Sequence, residues 1–399
     1  MSGTARERWG VLAGASLMAV SSSAFEIVPA SVTPLVRSSL GLGASQAGLL
    51  VSVMFGMVVV VSLPIGVVLD RTDSRLAVAA AGGGMVVAGL GCYAAARAGA
   101  FWPLVAFRAL GAVAFTTVWN AGIELVGGAF GPDRRATAVA VFTASGPVGF
   151  AVGQVGGPVV AGVAGWPAVF PATATSVLVG LALFWPASRG VATGGGDTAA
   201  LSNLGRVLGN RAVWTVAGLG FVAYALYLFV NSWAPSFLTE QVELSLAASG
   251  LLAALFPAVG VASRVGGGVL SDRAFGGRRR PVVLLSFGVA APAVASFAAV
   301  RAVPVVVAAL LVAGFAVQLS VGLVFSYVRE LVAPEIATTA VAFLTTVGLA
   351  GGFLSPIAGG ALVGTSGYAA GFAAGGALGL LGVALAWFAP EPAEHRRTA

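Results

Sequence analysis

The chain has very little charge. Asp, Glu, Lys and Arg make up 9% of its 399 residues, while 58% are hydrophobic, and the mean hydropathy is +0.98. A soluble domain carries about 25% charged residues. Too little polar surface is available for water to be the solvent, so the solvent is lipid. Cysteine is nearly absent. Cys92 stands alone, which excludes an intramolecular disulfide and a thiolate metal cluster. Histidine is nearly absent too. His395 is alone in the C-terminal tail, so no metal-ligand constellation exists and no imidazole lies inside the apolar runs. Lysine is missing, and all 21 basic residues are Arg, which reads as a codon bias rather than a mechanism. No nucleophile elbow or phosphate loop is present. The glycine string Gly153-Gln154-Val155-Gly156-Gly157 lies in an apolar run with no strand before it, so it is not a dinucleotide fingerprint. Neither an enzyme nor a cofactor or metal site is expected. The sequence pI near 10.7 does not mean nucleic acid, because the Arg residues sit in short loops between apolar runs.

What is present is length and apolar repetition. Runs cover about 9–36, 45–69, 76–97, 101–127, 136–162, 166–186, 211–238, 246–270, 281–300, 303–328, 336–363 and 368–389. Each is long enough to cross a bilayer as a helix of about 20 residues. Helices are the natural reading, because an open sheet cannot satisfy its backbone in lipid. The expectation is an all-α membrane protein of twelve transmembrane helices in two six-helix bundles. The N-terminal bundle is 1–190, a linker is 191–210, and the C-terminal bundle is 211–399. Within the linker Leu201, Leu204, Val207 and Leu208 have helical spacing. If both termini are placed in the cytoplasm, the inside segments hold 16 Arg and the outside segments only Arg37, Arg97 and Arg301. The positive-inside rule then puts both termini of a multi-pass cell-membrane protein in the cytoplasm.

One short charged motif occurs twice. Gly66-Val67-Val68-Leu69-Asp70-Arg71 is followed by Arg75. Gly268-Val269-Leu270-Ser271-Asp272-Arg273 is followed by Arg278, Arg279 and Arg280. The copies lie about half a chain apart, which points to a duplicated bundle. With twelve runs around it, the pair resembles the loop signature of the major facilitator superfamily over essentially the whole chain. The resemblance implies a cytoplasmic gate made of Gly66, Asp70, Arg71, Arg75, Gly268, Asp272 and Arg273. In it Gly66 would pack closely on span 11, Asp70 would face a helix N-terminus, and Arg71 and Arg75 would pair with acids.

Finer resemblances point in two directions. In span 5 Gly153, Gly157 and Pro158 resemble, in part, an element of drug/proton antiporters, and would serve helix packing or hinging. Asn231 to Pro235 in span 7, Gly260 to Gly268 in span 8 and Gly351 to Pro356 in span 11 resemble the nitrate, cyanate and organic-anion permease branches. There Arg264 matches an anion-binding Arg, but Ser62 stands where a partner Arg is expected.

Charged and polar groups inside spans are costly unless used or paired, so they are the site candidates. Glu26 shares a small-polar face with Ser22, Ser23 and Thr33. Arg108, Trp119 and Asn120 lie on span 4, Tyr224, Tyr227 and Asn231 on span 7, and Gln318 on span 10. By resemblance these spans line a central cavity. The expected function is secondary active transport of a small polar or anionic organic solute by a monomer, coupled to protons, with sodium as the alternative coupling ion. Multidrug or metabolite efflux by proton antiport, and a non-transporting receptor or scaffold, stand as alternatives. Without a membrane His, Glu26 or Glu124 must carry any proton.

Overall fold

In lipid each crossing has to close its own backbone hydrogen bonds, and a helix does so within one segment. The computed structural model describes residues 5–191 and 203–392, and its regular structure is helical throughout them. Most of the 191–210 linker, Leu201 included, and the tail holding His395, Arg396 and Arg397 lie outside the described residues.

The first crossing is α1 (Ala5–Ser31), which breaks at Val32 and resumes as α2 (Thr33–Leu40) with Pro34 in its first turn. α3 (Ala44–Leu69) and α4 (Ser74–Arg97) flank the first motif loop, and α5 (Phe101–Ala129) follows. The fifth crossing is α6 (Pro132–Thr143) with α7 (Ser145–Ala164), and the sixth is α8 (Val169–Thr175) with α9 (Val177–Ala187). A short helix, α10 (Leu204–Leu208), precedes α11 (Arg211–Glu240). The eighth crossing is divided into α12 (Leu246–Ala253), α13 (Leu255–Ala258) and α14 (Gly260–Ala274). α15 (Arg280–Ser296), α16 (Val303–Glu330) and α17 (Pro334–Trp387) complete the chain. Among the described residues ten helical stretches are long and apolar enough to cross a membrane. The 54-residue α17 counts twice, because Gly367 breaks it at φ 81°, ψ 173°. The shorter α15 then makes the twelfth crossing.

Several expected single helices are broken, and proline explains two of the breaks. A proline ring clashes with the carbonyl four residues earlier. Pro147 therefore acts on Thr143, the last residue of α6, and Pro257 acts on Ala253, the last residue of α12. At Ser176 the hydroxyls of Thr173, Thr175 and Ser176 bond back to main-chain carbonyls three or four residues earlier, a pattern that bends helices.

The residues cluster into two compact units. One holds Met1–Leu42, Leu49–Gly196 and Ser245–Ala254, and the other holds Gly43–Gly48, Asp197–Leu244 and Leu255–Ala399. Each thus takes a short segment from beyond its own half of the sequence. In the first unit α7 packs on α1 through Gly149, Gly153 and Gly157, spaced four apart. A Cβ on Gly153 would fall 2.7 Å from Ile27 Cγ2, and Cβ atoms on its two companions would overlap Ser23 and Ser31. Small residues allow this backbone approach. Pro158 lies beside Gly250 in the same unit, so this part of span 5 is a packing seam.

Candidate functional site

In the first unit the polar centre is built around Arg108 on α5, whose side chain is fully buried. A guanidinium has five N–H donors in a fixed plane, and here they serve main-chain carbonyls. Nε donates to Leu50 O at 2.9 Å, and the two terminal nitrogens donate to Glu26 O at 2.6 Å and to Phe25 O. The Phe25 ring lies 4.8 Å from the guanidinium carbon. One side chain therefore ties α5 to α1 and α3. The Glu26 carboxylate on α1 is 2% exposed, and its Oε1 has no hydrogen-bond partner among the described residues. The buried hydroxyls of Ser23 on α1 and Ser52 on α3 are likewise unpartnered. Ser22 instead bonds Met18 O at 2.8 Å, and Thr33 bonds Pro29 O at 2.9 Å.

The other span 4 candidates separate. Trp119 packs against Phe115 and Phe142 with ring centroids 5.7 and 5.2 Å apart, and its indole N–H is buried without an acceptor. Asn120 is exposed. Glu124, half-buried near the end of α5, accepts from Ser74 Oγ at 2.9 Å. This ties it to the start of α4 and the first motif loop.

In the second unit Arg264 on α14 lies over the Tyr227 ring of α11 at 5.6 Å. Its Nε is buried without an acceptor. Asn231 donates to Tyr227 O at 2.8 Å. Tyr224 lies beside Gly348 of α17. Gln318 is fully buried on α16 and donates to Phe256 O at 2.9 Å, leaving its own Oε1 unpartnered. Gly260 makes room for that amide, since a Cβ there would overlap it. Trp233 donates to Pro356 O at 3.1 Å and is a packing residue.

The two motif loops differ from the expectation and from each other. A Cβ on Gly66 or Gly268 would meet nothing within 4 Å. Asp70, Arg71 and Arg273 are exposed. Asp73 caps α4 by accepting from Arg75 N at 2.8 Å. Arg75 was expected to meet an acid. It donates instead to Ser188 Oγ at 2.9 Å and Trp185 O at 3.2 Å, with its guanidinium 4.8 Å from the Trp185 ring. Its planar fork can be satisfied by hydroxyl, carbonyl and ring together.

The second loop is an ion-pair network. Arg279 donates to both oxygens of Glu330 at 3.1 and 2.8 Å, and to Asp272 Oδ1 at 2.8 Å. These bonds, Glu330's first, hold the Arg279 guanidinium above the usual arginine range. Sequence reasoning missed two acids here. Glu330 ends α16 as Glu124 nears the end of α5, so the internal repeat was the available signal. Glu391 follows the last crossing. It is 3% exposed and accepts from the main-chain N–H of Arg279 and Arg280 at 3.2 and 3.1 Å. Its Oε1 is also 3.7 Å from Arg278 Nε. Tyr327 Oη donates to the adjacent Pro390 O at 2.9 Å. The segment just after the last crossing is thus strapped to the N-terminus of α15. Nothing in the local sequence marked this contact.

A cavity of about 450 Å³ lies elsewhere in the first unit, among α3, α4 and α5. It is lined by apolar side chains such as Val61, Ile65, Leu110 and Val113, with Thr117 as its polar edge, and holds none of the charged candidates. No cluster of three or more metal-binding side chains occurs among the described residues.

The sequence matches the family model described as Major Facilitator Superfamily over residues 12–356 and 267–399. A comparison with curated proteins finds no significant match. Among solved structures, the fold is similar to a bacterial homologue of the human lysosomal transporter Spinster in an inward-facing, occupied conformation. The TM-score is 0.81 at 19% identity, with 97% of each chain covered. The inward-facing, unoccupied conformation gives 0.82 at 18% identity, with 99% of each chain covered. The twelve crossings, the repeated charged loop and a family match over nearly the whole length lead to one identification: this chain belongs to the major facilitator superfamily and is a multi-pass membrane transporter, not an enzyme.

Proposed function

We propose that this transporter moves a small polar or anionic organic solute by alternating access, driven by a proton gradient, as a monomer in the cell membrane with both termini cytoplasmic. The observation that carries the reading is Glu26. Its carboxylate is buried on α1 beside Arg108, yet Arg108 spends its hydrogen bonds on carbonyls and Glu26 Oε1 has no partner. An unpaired buried charge is costly, so binding a proton and finding a partner are alternative ways to settle this group. A coupling residue needs that choice. In the second unit Arg264 Nε and Gln318 Oε1 supply an unused donor and acceptor for a polar solute. The two structural relatives are described as inward-facing, one occupied and one unoccupied, states that fit alternating access. The apolar cavity of about 450 Å³ favours a second reading, efflux of apolar or amphipathic compounds by proton antiport.

Proteoliposomes with an imposed pH gradient test the coupling. With a panel of labelled organic acids and lipophilic cations, Glu26→Gln is expected to abolish pH-driven accumulation while solute exchange continues. Accumulation at the wild-type level in Glu26→Gln removes Glu26 as the carrier and passes the role to Glu124 or to sodium. The compound class that is moved decides between the two cargo readings.

A further inference from the structure

A small basic cleft lies in the first unit, apart from the buried polar centre. It has a volume of about 60 Å³ and is lined by Arg8, Trp9, Phe130 and Arg134. Arg8 and Trp9 lie in the first turns of α1, where its apolar stretch begins. Arg134 lies in the first turn of α6, whose N-cap is Gly131 and offers no side chain to the helix end. The Trp9 ring meets Phe130 edge-on at 5.5 Å and remains 56% exposed. Arg8 Nε is buried without an acceptor. The acids nearest in sequence, Glu7 and Asp133, do not line the cleft.

We infer that this cleft binds the phosphate of an anionic phospholipid. Two guanidinium-bearing residues and an indole line a space that fits a small anion but no drug-sized molecule. Basic pockets at the membrane face between crossings take acidic head groups. A free anion would leave the Trp9 ring bare, whereas the glycerol and upper chain of a lipid cover it, which is the use of Trp at a membrane interface. The bound head group would bridge the start of the first crossing to the start of the fifth.

Native mass spectrometry of the full chain, released from micelles doped with phosphatidylglycerol or phosphatidylcholine, tests the inference. One phosphatidylglycerol is expected to be retained at least tenfold more than phosphatidylcholine, and Arg8→Gln/Arg134→Gln should remove that preference. Brominated phosphatidylglycerol should quench a fluorescence component that disappears in Trp9→Phe. The single variant Arg134→Gln, which leaves α1 untouched, should weaken retention if the double variant fails to fold. Equal retention of the two lipids overturns the inference, as does an unchanged preference in the Arg variants. Thermal stabilisation by inorganic phosphate equal to that by phosphatidylglycerol would make the cleft a soluble-anion site, and also overturns it.

Discussion

Arg108 and Arg264 look alike in the sequence, as single arginines inside apolar runs. Their surroundings divide them. Arg108 donates from all three of its nitrogens to the carbonyls of Phe25, Glu26 and Leu50, so it is a cross-brace between helices. Arg264 has a buried Nε with no acceptor, so it can still take a ligand. For an anionic solute, Arg264→Gln is expected to raise the apparent Kd of uptake tenfold or more, because a hydrogen bond to a charged group contributes ~1.5–3 kcal/mol. Arg108→Gln should instead lower folded yield and thermal stability, since it strands buried carbonyls. Competition uptake and thermal unfolding on both variants would check this; unchanged affinity in Arg264→Gln returns that residue to a structural role. Residue type and depth were legible in the sequence. Which arginine was already satisfied was not, because the acceptors are main-chain carbonyls 58 to 83 residues away.

At the level of helices, the sequence showed where the chain crosses and understated how often it bends. Pro147 and Pro257 announce breaks four residues upstream, and those are where α6 and α12 end. The break at Ser176 depends on hydroxyl rotamers that no spacing rule displays. The glycines of span 5 were visible, but their partner, α1, became clear only in three dimensions. The strap at Glu391 is the least legible feature of the second unit. It joins residues 111 and 112 positions apart and places a carboxylate at the N-terminus of α15, where negative charge is stabilising by up to ~2 kcal/mol when partly buried. Glu391→Gln keeps the shape and removes the charge. It should lower the unfolding temperature measurably and free the segment after the last crossing to limited proteolysis. Unaltered protease resistance would show that the strap is held by Tyr327 and Pro390 alone.

On the scale of the whole molecule, the repeated loop made the duplication readable, and the two copies are nonetheless unequal. In the second copy Arg279 is shared between Asp272 and Glu330, and Asp272 is 63% exposed. Losing Asp272 leaves the Glu330 bonds in place. In the first copy Asp70 is exposed and Arg75 is bound to Ser188 and Trp185. The gate role that the family resemblance implies for Asp70 thus draws nothing from stabilising contacts within this unit. Asp70→Asn should therefore reduce turnover severely with little change in thermal stability, and Asp272→Asn should be milder. Initial rates in proteoliposomes at matched protein density provide the measurement, and wild-type rates in Asp70→Asn would refute the gate assignment.

Gly367 carries a consequence for how the chain reaches the membrane. The last two crossings are joined by a single backbone break at φ 81°, ψ 173°, a conformation almost confined to glycine. The helical ladder runs up to that residue and resumes at once, with no length of slack between the crossings. Arms joined this tightly leave no loop between them, so a change in the orientation of the eleventh crossing is expected to carry the twelfth with it.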